Sequence, residues 1–245
     1  NTWWSDPDWW RLELQANDRI AVRIETPEST AETYAELMNA QGAAIASDVT
    51  SGPNQDTFIS GYQVSAAGAY YIRVGKYYYQ AASPGNYRLH VDIARGVDLE
   101  TDAQYHNDSV ANADPILLTD ITETKRTGTA AGIVMAGESG NVDEDYFSLG
   151  NVDVDETILL SIRLPLMSQL RAAVEIRNAA NQVVSLATDV TEGVARADVD
   201  AAGNYYAVVV ALSGRGPYGH YLLDAAIQAT SELDFADLVV SEITV

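Results

Sequence analysis

The residues best equipped for chemistry are oxygen donors. Glu100, Asp102, Asn107 and Asp108 fall in one short stretch, and Asp143 and Asp145 stand as an acidic pair further along. A hard divalent cation takes roughly six to eight oxygens, and it prefers carboxylates and amide carbonyls that a flexible segment and a strand end can bring together. Solvated loop acids are the alternative that this pattern leaves open. Other chemistries find less support. Cysteine is absent, which removes thiol nucleophiles and thiolate metal sites. The imidazoles are His90, His106 and His220, and none has a triad or zinc motif around it. With 35 acidic residues, carboxylate pairs are too common to indicate glycosidase chemistry. The expectation is a protein that is not an enzyme.

Composition narrows the partners. The chain has 245 residues, 47% of them hydrophobic, which is enough to build cores and excludes a disordered tail. A formal charge of -21 repels a nucleic-acid backbone, so no nucleic acid is expected. No run approaches the ~18 apolar residues of a membrane helix, so no membrane span is expected. Lys76 and Lys125 are the only lysines, and acid-rich, lysine-poor surfaces suit salty water or divalent cations, with ordinary solubility charge as the equally open alternative. The chain opens on Asn1 without a signal segment, which reads as a mature terminus or a boundary, with something removed upstream.

An internal repeat must position these residues. Ser65-Ala66-Ala67-Gly68-Ala69-Tyr70-Tyr71 recurs as Asp200-Ala201-Ala202-Gly203-Asn204-Tyr205-Tyr206. Asp6-Pro7-Asp8-Trp9-Trp10-Arg11-Leu12 matches Asp143-Glu144-Asp145-Tyr146-Phe147-Ser148-Leu149, and Gly85-Asn86-Tyr87 matches Gly219-His220-Tyr221. Short β-branched runs such as residues 19–24 and 157–162 read as strands. Asn39-Ala40-Gln41-Gly42 and Asn178-Ala179-Ala180-Asn181 read as hairpin turns. Residues 28–36 are open to a short helical turn. Many short strands joined by turns predict an all-β fold of two tandem antiparallel β-sandwich domains.

The acidic-x-acidic-aromatic-aromatic opening, the Asn/Gly hairpin, the Ala-Gly-x-Tyr-Tyr strand and the closing Gly-x-Tyr strand together resemble the bacterial pre-peptidase C-terminal domain. That resemblance covers nearly the whole chain. It implies jelly-roll-like sandwiches, non-catalytic, appended to secreted or cell-surface proteins. The expected divisions are a first domain over 1–96, a second over 97–230 with an acidic lead-in, and a strand-like tail over 231–245. Residues 100–109 look like the family's Glu-x-Asn-Asp-Ser linker, with extra residues inserted. The resemblance therefore implies a calcium site from Glu100, Asp102, Asn107, Asp108, Asp143 and Asp145, which stiffens the linker. The first copy keeps Asp6 and Asp8 but shows no lead-in.

Aromatics and the tail suggest partners. Trp3, Trp4, Trp9 and Trp10 crowd the start, and Tyr77, Tyr78 and Tyr79 follow Lys76. Adjacent strand residues face opposite sides, so at most one of each Trp pair fills a core unless both faces are covered. Tyr77, Tyr78, Tyr79, Trp3 and Trp4 are the candidate contacts for an extracellular protein or polysaccharide, although core packing is the blander account. The tail resembles the opening strand of a bacterial cell-adhesion-related domain. Leu238, Val239, Val240, Ile243 and Val245 would then form a strand able to complete a neighbour whose first domain lacks edge strands. The reading that follows is an adhesion, binding or spacer module; the alternative is a homo-polymer that assembles head to tail.

Overall fold

The computed structural model describes residues 7–27, 32–77, 86–138, 140–188 and 194–232. Among them the chain is all-β, its helical content confined to single 3-10 turns. The first half holds β1 (Asp8–Leu14), β2 (Arg19–Glu25), β3 (Thr33–Met38), β4 (Ala44–Asp48), β5 (Phe58–Gln63), β6 (Gly68–Lys76) and β7 (Arg88–Ala94). They form two sheets, ordered β1-β6-β3-β4 and β5-β2-β7. The second half holds β8 (Asp98–Leu99), β9 (Asp114–Pro115), β10 (Thr119–Thr122), β11 (Lys125–Ile133), β12 (Glu144–Val152) and β13 (Glu156–Arg163). It continues with β14 (Arg171–Asn178), β15 (Val183–Ala187), β16 (Ala195–Asp198), β17 (Gly203–Ser213) and β18 (His220–Ala229). Its sheets run β15-β14-β17-β12-β9 and β10-β11-β18-β13-β16, with β8 beside β11.

With β12 taken as the counterpart of β1 and β18 as that of β7, one half repeats the strand order of the other. The second half differs by what it adds at the edges. β9 joins β12 in parallel, and β11 joins β18 antiparallel. In the first half, β1 pairs only with β6 and β7 only with β2 among the described residues.

Side-chain pattern explains the strands. Ile20, Val22 and Ile24 alternate along β2 and are fully buried, as are Ile158 and Leu160 on β13. β-branched side chains suit a pleated surface, and each such burial is worth about 1.5–3 kcal/mol. The two hairpins form where the Asn residues predict them. The Gly42 amide donates to the Asn39 carbonyl at 3.0 Å, with Gly42 at φ 77°. Asn181 takes φ 60° in the matching turn, and the Asn178 side chain accepts from the amides of Ala180 and Gln182.

Two readings are corrected. Thr33–Met38 is a strand between β6 and β4, because pairing on both sides outweighs a weak local helical tendency; residues 28–31 lie outside the described set. Neither Trp9 nor Trp10 fills a core: both are about half exposed. Trp9 stands on the outer face, edge-on to Tyr71 and under the Arg73 guanidinium at 5.4 Å. Trp10 faces inward, at an edge that nothing described covers.

Each half has its own apolar cluster, centred on Ile20, Leu37 and Ile72 in one and on Phe147, Leu160 and Leu223 in the other. A third cluster joins them, setting Ala21, Phe58 and Ala94 against Leu99, Ile133 and Met135. The outer face of the β5-β2-β7 sheet is thereby covered by the start of the second half. No helix among the described residues is long and apolar enough to cross a membrane.

Candidate metal centre

The acidic lead-in lies at this junction. After β8, the backbone turns sharply through Gln104 and Tyr105, at φ 61° and 55°, a left-handed conformation that costs non-glycine residues about 1–3 kcal/mol each. The first half holds the loop in place: the Asp102 amide donates to the Ser60 hydroxyl at 2.8 Å and the Gln104 amide to the Ser51 carbonyl at 2.8 Å. Asp143 and Asp145 arrive on the segment that becomes β12, fixed to the loop where the Tyr146 amide donates to the Asn107 carbonyl at 3.0 Å. All six predicted ligand residues meet here. Glu100, Asp102, Asn107, Asp143 and Asp145 are buried, and Asp108 is half-buried.

Part of this oxygen set is satisfied. Glu100 Oε1 accepts from the Ile133 amide at 2.6 Å, Asp143 from the Met135 amide, and Asp108 Oδ1 from the Glu144 amide at 3.1 Å. The Tyr221 hydroxyl lies 2.6 Å from Asp145 Oδ2 and 3.1 Å from Glu100 Oε2. A phenol has one proton, so it satisfies one of those carboxylates at a time. Five further oxygens are buried without a hydrogen-bond partner among the described residues: Asp102 Oδ2, Asn107 Oδ1, Asp108 Oδ2, Asp143 Oδ1 and Asp145 Oδ1. Buried carboxylates without compensation are costly, by several kcal/mol per charge.

Carboxylate oxygens of Asp102, Asp108 and Asp143 lie within 4.8 Å of one another. Oxygens on opposite sides of one calcium-sized ion, at about 2.3–2.6 Å each, span that distance. Electrostatics agrees. Burial first, then Asp143, Glu100 and Asp108, pushes Asp102 up to about 10. Burial pushes Asp143 up to about 7, partly offset by the Met135 amide. Glu100 and Asp145 are raised well above the usual carboxylate range, by burial and by each other's neighbourhood of acids. Such a cluster takes up protons or a cation. The described residues that meet here could hold a metal ion; the chemistry of hard oxygen donors fits one.

Sequence reasoning missed two contributors. Tyr221 was visible only as the closing tyrosine of the repeat, yet it bridges two site carboxylates. Gly132 on β11 carries no signal at all: a Cβ there would lie 2.3 Å from the Tyr221 hydroxyl and 2.4 Å from Glu100 Oε2. The first half keeps a fragment of the same arrangement, since the Tyr87 hydroxyl donates to Asp8 Oδ2 at 2.6 Å. Tyr77 is half-buried, and its amide bonds to the Glu32 carbonyl at 2.9 Å. Asp6, Trp3, Trp4, Tyr78, Tyr79, Leu238, Val239, Val240, Ile243 and Val245 lie outside the described residues.

No family model matches the chain, and a search of curated proteins finds no match. Among solved structures, it is similar to Aeromonas hydrophila PliG, a periplasmic lysozyme inhibitor of g-type lysozyme, at 11% identity and a TM-score of 0.33, over 47% of this chain and 94% of that one. It is also similar to the PBSX exported protein XepA, at 11% identity and a TM-score of 0.29, over 92% of this chain and 82% of that one.

Proposed function

We propose that the chain is a non-catalytic, secreted or cell-surface module that serves adhesion, substrate binding or spacing, and that calcium fixes its second half to its lead-in. The observation that carries this is the set of five buried, unpartnered oxygens around Asp102, Asp108 and Asp143. An oxygen-only set of this size suits calcium better than a transition metal. The resemblance to pre-peptidase C-terminal domains points the same way. The outer face of β1 and β6, with Trp9, Tyr71 and Arg73 together, offers a flat amphipathic surface to an extracellular protein or polysaccharide. Titration calorimetry of chelator-stripped protein tests the metal. Calcium should bind, and Asp102→Asn combined with Asp143→Asn should abolish the heat; unchanged heat in that variant would sink the cage.

One observation favours a second reading, assembly of copies by strand addition. Among the described residues, β1 and β7 keep an unpaired outer edge where their counterparts β12 and β18 are paired.

A further inference from the structure

The two halves differ most in how well their cores are closed. Trp10 is 48% exposed, and its counterpart Phe147 1%; Ile93 is 43% exposed, and its counterpart Ile227 0%. Leu12, Tyr87, Leu89 and Val91 are only partly buried, whereas the matching Leu149, Tyr221, Leu223 and Ala225 are buried. Apart from Tyr87, which immediately precedes β7, these first-half residues sit on β1 or β7 and face inward, because each pairs across the strand with a core residue such as Ile72 or Ile20. Together they leave an apolar cleft between the edges of β1 and β7, which no described strand pairs or covers. In the second half the same cleft is sealed by the segment between β8 and β11. There Ile116 is buried in the core, and its amide donates to the Ser148 carbonyl of β12 at 3.1 Å.

The sequence of that sealing segment occurs again. Asp98-Leu99-Glu100 recurs as Glu232-Leu233-Asp234, at the same spacing that relates Gly85-Asn86-Tyr87 to Gly219-His220-Tyr221. Ala113-Asp114-Pro115-Ile116-Leu117-Leu118-Thr119-Asp120-Ile121-Thr122 then recurs, one residue shorter, as Ala236-Asp237-Leu238-Val239-Val240-Ser241-Glu242-Ile243-Thr244. Acidic, aliphatic and hydroxyl positions coincide, and Val239 takes the place of Ile116. Among the described residues one cleft is thus left open, and the sequence holds an extra copy of the segment that closes its counterpart.

We propose that residues 232–244 of one copy close the cleft between β1 and β7 of a second copy. This rests on the assembly reading and names its occupant and register. By the parallel pairing of Asp114 with Phe147 and Pro115 with Ser148, Asp237 lies beside Trp10 and Leu238 beside Arg11. The Val239 amide then donates to the Arg11 carbonyl. The tail has no counterpart of residues 101–112, so it brings no equivalents of Asp102, Asn107 or Asp108, and this contact needs no cation. A donor at one end and an acceptor at the other make a heterologous contact, which propagates.

A complementation experiment on the 245-residue chain, with calcium present throughout, tests this by light scattering. Val239→Pro removes the amide and disables the donor; Ile93→Glu places a charge in the cleft and disables the acceptor. The unsubstituted chain should give particles that grow with concentration, each variant alone should stay at 26.4 kDa, and an equimolar mixture should give dimers. A synthetic peptide of residues 232–245 should shorten the polymers, and the same peptide with Val239→Pro should not, which covers the case of an acceptor variant that fails to fold. A chain that stays monomeric at all concentrations overturns both the assembly reading and this inference. Polymers that survive Val239→Pro overturn the inference alone, and assembly then uses another surface. A monomer whose tryptophan emission shifts with Val239→Pro overturns it too, with the tail folded back on its own cleft.

Discussion

Asp18 in the first half and Asp102 in the second are both buried carboxylates, stabilised in opposite ways. Asp18 is gripped by Arg95 through two bonds of 2.8 Å and by the Gln15 amide at 2.7 Å, and its carboxyl is held down at about 2. Asp102 sits among acids and is pushed up to about 10. The core closure of the halves is reversed: among the described residues, the half with the satisfied carboxylate has the less covered apolar edge, and the half with the frustrated carboxylates is sealed. The same added segment explains both differences. Residues 97–133 bring β8 to β11 to close the second core, and their loop 100–109 brings in acids that could hold an ion.

The largest effect should separate the two cores. Leu223 and Leu89 are counterparts, but Leu223 is fully buried beneath the added strands and Leu89 is not. Leu223→Ala should cost about 2–5 kcal/mol. Leu89→Ala should cost less than half of that, read by denaturant unfolding. Equal losses would mean that the first core is closed in solution by something the described residues do not supply.

Next comes the cation. With calcium at ~100 times its dissociation constant, a site that exists only in the folded state adds about 2.7 kcal/mol. Chelation should therefore lower the unfolding of the second half by roughly 5–10 °C in calorimetry, given about 2–4 °C per kcal/mol at this size. Any separate transition of the first half should stay in place. Gly132→Ala, which drives a methyl group into Tyr221 and Glu100, should remove most of that calcium response.

The pH dependence then sharpens the contrast. Asp143 and Asp102 have folded values of about 7 and about 10, above the unfolded value of 3.8. Between those limits the folded chain binds more protons than the unfolded one, so without a cation stability falls as pH rises. Melts in chelator at pH 5, 7 and 9 should show a steady decline. With calcium the trend should flatten or reverse, because the ion binds the deprotonated groups. A melting temperature that rises with pH in chelator would refute the buried, uncompensated state of these acids.

Much of this was legible in the sequence. The strands of residues 19–24 and 157–162 announced themselves through β-branched runs, and the hairpins through Asn39 and Asn178, because local chemistry decides both. The six residues expected as ligands were picked by type and by resemblance, and the fold brings them together. What sequence hid was contact across the chain. Nothing near Gly132 says that a phenol and a carboxylate meet above it. Nothing in Trp9-Trp10 says that the strand lies at an edge, so the expectation of core packing failed. Thr33–Met38 was ambiguous because its pairing partners, β4 and β6, lie later in the chain.

The smallest effect belongs to the Asp18–Arg95 pair. Because the folded value of Asp18 lies below the unfolded one, its contribution is present above about 3.8 and is lost as pH falls toward about 2. Arg95 is more than half exposed, so water screens the pair and its removal should cost little. Arg95→Ala should therefore lower first-half stability slightly at pH 7 and hardly at all at pH 2, with the chelator response of the second half unchanged. A loss of equal size at both pH values would show that the arginine acts by packing along the strand end; the contrast with Asp102 would then rest on the second half's acids alone.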